Sequence, residues 1–194
     1  MPKVGLNLAN MSGDAADEAK EEGFDQTMKL GICGGLGAEL GFGAFAVETG
    51  LYYSQLGAKW KMEVAGAEAT VTSALDYLMV PVLGKVVLGA APLKFSIGAG
   101  PSLGFLLSSK IKAKIVDPSG NTIMDVEEDL KDVTESIYFG LTFGAGAEIS
   151  NFVISASYTL GLSNINKAPE GFTGELPKDV TNGISILVGY KFGL

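Results

Sequence analysis

At 194 residues the chain is long enough for one domain, and its 47% hydrophobic fraction and mean hydropathy of +0.30 are high for a water-soluble protein. It contains no run of about 18 apolar residues, so a transmembrane helix is excluded. The net charge of −8, from 14 lysines against 22 acids, excludes nucleic acid as a partner, which needs a basic footprint.

Hydrophobic residues recur every second position along most of the chain, which is the strand period. A first strand is expected over Lys3 to Ala9, with Val4, Leu6 and Leu8 on one face and Lys3, Gly5, Asn7 and Ala9 on the other. Asn10 to Thr27 is polar and acidic. Met28 to Leu40 sets Leu30, Ile32, Leu36 and Leu40 against Lys29, Gly31, Cys33, Gly35, Gly37 and Glu39. After a Gly41-Phe42-Gly43 turn, Ala44 to about Lys59 sets Phe45, Val47, Leu51 and Tyr53 against Glu48, Gly50, Tyr52 and Ser54. Trp60 to Thr72 reads as a shorter loop or a strand extension. Leu75 to Leu88 alternates least clearly, because Tyr77, Met79 and Leu83 make both faces apolar.

A turn at Gly89 to Pro92 leads into Leu93 to Lys110, with Phe95, Ile97, Leu103, Phe105 and Leu107 against Lys94, Ser96, Gly98, Gly100, Ser102 and Gly104. Ile111 to Thr134 is a long acidic connection in which Ile123, Val126, Leu130 and Val133 fit a short amphipathic helix. Glu135 to Leu162 reads as a hairpin about an Ile149-Ser150-Asn151 turn. Ser163 to Thr181 is a loop with Gly and Pro breakers. Asn182 to Leu194 alternates again, with Ile184, Ile186, Val188, Tyr190, Phe192 and Leu194 on one face.

The apolar face is bulky, whereas the opposite face is mostly Gly, Ser and Thr with a few charges. A soluble sheet places Lys, Glu and Thr on its wet face. A narrow barrel lumen instead demands small residues, with the bulky face turned to lipid. The connections alternate long and short, as expected when all long loops lie at one end. The pattern predicts one domain over 1–194, an eight-stranded antiparallel up-and-down transmembrane β-barrel of all-β class, closed between its first and last strands. It is expected to be a monomer in outer-membrane lipid. No basic segment followed by an apolar core precedes the first strand, so no signal peptide is expected within this chain. Pro81 and Pro101 fall inside strands, where each should mark a bulge or an unpaired position.

KVGLNLANMSG (3–13), GLYYSQLGAKW (50–60), DYLMVPVLGK (76–85), FSIGAGPSLGFLLSSK (95–110) and the closing GYKFGL, taken in order, resemble the PorT-like outer-membrane β-barrel proteins common in Bacteroidetes. The resemblance covers nearly the whole chain and implies an eight-stranded outer-membrane barrel, with one branch linked to a secretion and gliding apparatus. The family often carries inward glutamates near Gly50 and Met79; both positions are uncharged here. Gly189, Phe192 and Leu194 resemble the terminal signal that the barrel-assembly machinery reads, although a terminal Phe is commoner than Leu.

Six charges are expected to point inward: Glu39, Glu48, Lys85, Lys94, Glu148 and Lys191. Buried charges must be paired, so the commoner role is a structural ion-pair network filling the lumen. An ion or proton path is the alternative. Neither His nor Arg occurs. A nucleophile activated by a His base and a His/Cys metal centre are therefore excluded, and neither enzymatic activity nor a cofactor is expected. Cys33 reads as a small lumen filler. Trp60 and the tyrosines at 52, 53, 77, 138, 158 and 190 suit an interfacial girdle or lumen packing. Two other readings stay open. One is a soluble lipocalin-like barrel binding an apolar ligand, its lumen lined by Phe143, Ile154 and Ile186. The other is a designed barrel without an evolved role, suggested by the missing Arg. The protein partner is not legible.

Overall fold

A computed structural model describes residues 1–64, 66–168, 174 and 176–192. Its strands are β1 (Pro2–Gly13), β2 (Asp25–Thr27), β3 (Lys29–Phe42), β4 (Phe45–Val64), β5 (Ala67–Ala90), β6 (Leu93–Val116), β7 (Thr122–Asp129), β8 (Ile137–Ile149), β9 (Phe152–Gly161) and β10 (Asp179–Tyr190). One helix, α1 (Asp14–Glu21), follows β1. The strands form one antiparallel, up-and-down, barrel-like sheet. The pairings run β4-β3-β1-β10-β9-β8-β6-β5 and return through β5 to β4, while β2 pairs β4 and β7 pairs β6 outside that cycle. First and last strands meet in register from Lys3↔Gly189 to Gly13↔Asp179.

The faces follow the period-two pattern. Val4, Leu30, Ile32, Leu36, Leu51, Phe95, Ile97 and Val188 are all exposed on the outside, and Lys3, Asn7, Cys33, Glu48 and Ser102 are buried within. Phe143, Ile154 and Ile186 are 46%, 53% and 52% exposed, so they do not line the lumen as a soluble barrel would require. Water-soluble monomers rarely expose so broad an apolar surface.

Three elements sharpen or differ from the sequence-based expectation. Of the two readings of residues 60–72, a loop or a strand extension, the extension holds, because β4 and β5 stay paired from Lys59↔Thr72 to Val64↔Ala67. The alternation of Trp60 and Met62 with Lys59 and Lys61 already carries the strand period there. The segment 122–129 is a strand instead of a helix, followed only by a 3₁₀ turn at Lys131–Val133. Cross-strand pairing wins over helical spacing, because Lys110↔Asp129, Lys112↔Glu127 and Lys114↔Asp125 stand directly opposite. Conversely, the acidic segment after β1 holds α1, with Asp14 and Asp17 in its first turn and Lys20 in its last, the arrangement the helix dipole favours.

The two prolines interrupt the ladders as expected. The β4–β5 register passes from Thr49↔Val82 to Tyr52↔Met79, leaving Pro81 unpaired on that side. The β5–β6 register passes from Pro81↔Ser102 to Gly84↔Ala99, leaving Pro101 unpaired toward β5. The bulge in β5–β6 lies elsewhere, between Asp76 and Tyr77.

Candidate functional site

The interior is filled in layers. Nearest the short turns lies a chain of charges alternating in sign: Lys3, Glu48, Lys85, Glu39, Lys191, Glu148, Lys94. Lys3 donates to Glu48. Lys85 bridges Glu48 at 2.8 Å and Glu39 at 2.5 Å. Lys191 bridges Glu39 at 2.6 Å and Glu148 at 2.9 Å, and Lys94 reaches Glu148 at 3.1 Å. All six charges picked out in the sequence thus come together. Lys3 completes the chain; its inward position was legible in β1, but its partner was not. The register explains the need for bridging. Glu39 and Glu48 stand directly opposite on β3 and β4, where two carboxylates repel, and Lys85 lies between them. Side-chain exposure rises from 4% at Lys3 to 35% at Lys94, so the chain passes from a buried end to a partly exposed one.

Above this layer is a cavity of about 110 Å³, lined by Lys3, Glu48, Lys85, Pro81, Leu83 and the hydroxyl-bearing Ser54, Ser96, Ser102, Thr142, Ser155, Ser157, Thr159 and Ser185 among others. Its hydroxyls form short relays: Ser102 to Thr142 at 2.6 Å and Thr142 to Thr159 at 2.8 Å. Asn7 donates to Ser54 at 2.7 Å and accepts from Ser185 at 2.6 Å. Cys33 is a buried free thiol on the cavity wall.

Beyond the cavity an apolar layer closes the interior with Tyr52, Leu56, Trp60, Leu75, Tyr77, Met79, Leu106 and Tyr138. Tyr77 and Tyr138 pack with ring centroids 5.4 Å apart, and the Tyr138 hydroxyl donates to the Thr181 carbonyl at 3.2 Å. The inward glycines make room for these rings. A Cβ at Gly50 would stand 2.5 Å from Tyr52 Cε2, and one at Gly37 would stand 2.3 Å from Tyr52 Oη. Of the aromatic residues whose role the sequence left open, Tyr52, Tyr77, Tyr138 and Trp60 are interior, whereas Tyr158 and Tyr190 face outward. Phe24 and Ala19 pack against this layer, which also includes Ile165, and the buried Asp179 accepts from Ala15 N at 2.9 Å and Asn166 Nδ2 at 2.7 Å.

At the other end Gly189 pairs with both Lys3 and Val153. Phe192 is exposed and packs edge-on against Tyr190 at 5.0 Å, which in turn meets Phe152 at 5.3 Å. Leu194 lies outside the described residues. Among the described residues, no group of three or more His, Cys, Asp or Glu side chains is placed to hold a metal ion.

Among solved structures, the chain is similar to Ail, the attachment invasion locus protein of Yersinia pestis, at 15% identity and TM-score 0.43, with 98% of this chain and 96% of that chain covered. It is similar to Neisserial surface protein A at 13% identity and TM-score 0.44, with the same coverage. Acinetobacter baumannii CarO matches at 11% identity and TM-score 0.38, covering 96% of each chain. No curated protein matches the sequence. The family model described as outer membrane protein beta-barrel domain matches residues 2–167, which points to the bacterial outer membrane. The chain belongs to the outer membrane protein beta-barrel domain family.

Proposed function

We propose that this chain is an eight-stranded transmembrane β-barrel of the outer membrane, closed to diffusion, whose role is structural or interactive. The observation that carries the reading is the inversion of its two faces, with bulky apolar side chains outside and every charge of the Lys3-to-Lys94 chain inside. Lipid makes such an exterior favourable, and a tilted strand needs only about 9–11 residues to cross it. The strands of the cycle all reach that length, and β5 and β6 at 24 residues each exceed it. The short turns, Met1 and Lys191 share one rim, which by the usual topology of such barrels faces the periplasm. The opposite rim carries α1, the β4–β5 hairpin, β7 and the loop after β9, and these are what the barrel displays outward.

Two fillings in series argue against a pore. A solute would have to break the ion-pair chain and then pass the Tyr77–Tyr138 layer. An eight-stranded lumen is just wide enough for its own side chains. The monomer's partners are then outer-membrane lipid and the barrel-assembly machinery, for which Gly189, Phe192 and Leu194 are the terminal signal. A secretion-linked role rests on the resemblance to PorT-like barrels alone.

The test is refolding from urea with and without detergent micelles, comparing unboiled and boiled samples by gel mobility. A compact band that shifts on boiling and requires micelles supports the reading. A compact β-rich monomer in buffer alone would overturn it.

A further inference from the structure

β7 is an edge strand that lies outside the barrel cycle, and all eight of its residues are exposed. One side of it pairs with β6; among the described residues its other side pairs with nothing. An exposed edge is a template for a further strand. What that strand should look like is encoded in β7 itself. Asp125, Glu127 and Asp129 share one face, and Met124, Val126 and Glu128 the other. On the paired side, β6 answers the three acids and the two apolar residues. Lys114, Lys112 and Lys110 stand opposite the three acids, Ile115 and Ala113 stand opposite Met124 and Val126, and Glu128, opposite Ile111, is the one charge on the apolar face. Glu127 is the carboxylate that Lys110 holds at 2.5 Å and Lys112 also engages.

We propose that the free edge of β7 binds an extended peptide segment in which basic and apolar residues alternate, by strand addition. Residues directly opposite in a ladder share a face. A lysine at every second position of the incoming strand therefore meets Asp125, Glu127 and Asp129, and the residues between them cover Met124 and Val126. A second copy of the chain is disfavoured at this edge. Antiparallel pairing of β7 with itself about Glu127 sets Asp125 against Asp129 and Glu127 against Glu127, and pairing about Val126 sets Asp125 against Glu127. Like charges directly opposite are destabilising. The proposal concerns the edge alone and goes beyond the role of the barrel; it holds whichever solvent surrounds the apolar exterior.

The probe is a synthetic peptide copying residues 110–116, Lys-Ile-Lys-Ala-Lys-Ile-Val, added to the full chain refolded in micelles. Amide shifts and exchange on β6 and β7 are followed by NMR, with peptide anisotropy for affinity. The expected result is saturable binding with new protection on β7 amides, retained protection of 110–116, and weakening at higher salt. Asp125→Lys combined with Asp129→Lys is expected to weaken binding about tenfold. The reversal also sets like charges against Lys114 and Lys110, so β7 protection is measured in the variant without peptide, where the Glu127 bridges to Lys110 and Lys112 are expected to keep the strand paired. A peptide with alternate amide nitrogens methylated keeps the charge but cannot complete a ladder, and it is expected not to bind. No saturable binding, indifference to the double reversal, or equal binding of the methylated peptide would each overturn the proposal. Loss of β6 protection, meaning exchange of strands rather than addition, would overturn it as well.

Discussion

Replacing Glu48 with Gln is expected to be the most costly single change in the ion-pair chain. Among the described residues Glu48 is the sole ion partner of Lys3, and the two side chains are 9% and 4% exposed. Without its charge, Lys3 is left as an uncompensated buried ammonium, while Lys85 keeps Glu39. Breaking a buried pair from one side costs about 3–5 kcal/mol. Glu39→Gln is milder, because Lys85 then keeps Glu48 and Lys191 keeps Glu148. Glu148→Gln is milder still: Lys191 keeps Glu39, and the Lys94 side chain is 35% exposed and can be hydrated. Exposed pairs contribute about 0–1 kcal/mol. The expected order of loss is Glu48, then Glu39, then Glu148. Adding Lys3→Met to Glu48→Gln removes the stranded charge and should recover most of the loss, since replacing both partners is often nearly neutral. The assay is urea unfolding of the refolded protein in lipid vesicles, read by the boiled-to-unboiled band shift. A different order, or a double variant no more stable than Glu48→Gln alone, would refute the argument from uncompensated charge.

Three further outcomes follow from other parts of the molecule. Glu127 lies on β7, outside the cycle of paired strands. Its pKa is lowered from 4.5 to about 2, first by the hydrogen bond from Lys110 and then by that from Lys112. A lowered carboxylate contributes stability above its unfolded value that is lost as pH falls through the folded one. β7 should therefore stay paired above pH 4.5 and loosen toward about pH 2, seen as faster amide exchange along β7; unchanged protection at the acid end would count against it. Gly50→Ala should destabilise the barrel by about 1–3 kcal/mol, because the new Cβ meets backbone at 2.6 Å (Leu36 O) as well as the Tyr52 ring. A variant that unfolds in urea like the parent would show that the wall yields. Tyr77→Ala should cost about 3–5 kcal/mol in the same assay, since Tyr77 is among the largest fully buried side chains. A loss under about 1 kcal/mol would mean that the apolar layer collapses around the gap.

The faces of the strands were legible because each of them has only one periodicity to obey. In β1, β3, β8, β9 and β10 the apolar residues fall on alternate positions, and a one-residue error would invert every side chain. The presence of β7 was not legible. Ile123, Val126, Leu130 and Val133 fit a helix as sequence, and only pairing with the lysines of β6, across the turn at residues 117–121, turns 122–129 into a strand. The same holds for the charges. Sequence gives the inward face of Glu39 or Lys191, but which cation meets which anion depends on barrel register and height, and neither has a local signature. Tyr52 and Tyr77 were read as inward, yet whether they form a girdle or fill the lumen depends on glycines on neighbouring strands, such as Gly37 and Gly50 under Tyr52.

The layout of the charges also bears on how the barrel closes. β1 and β10 form the seam between the two ends of the chain, and their outward residues Val4, Leu6, Ile186 and Val188 are interchangeable apolar groups in lipid. A slip of two residues keeps every face correct and moves the strands by about 7 Å, so hydrophobicity alone chooses poorly between registers. Lys3 on β1 and Lys191 just beyond β10 do choose. Each reaches away from the seam, Lys3 to Glu48 on β4 and Lys191 to Glu39 on β3 and Glu148 on β8. A slipped seam strands at least one of these ammonium groups among apolar or unpaired neighbours. The prediction is that Lys3→Met combined with Lys191→Met leaves the strand content unchanged but admits slipped closure. Val4 and Val188 are directly opposite in the native register. In a chain carrying Cys33→Ser, cysteines at positions 4 and 188 should crosslink in nearly all refolded molecules, whereas cysteines at 4 and 190 should not. Removing the two lysines should lower the first yield and raise the second. If the native crosslink forms equally well without them, the charges fill the lumen but do not set its register.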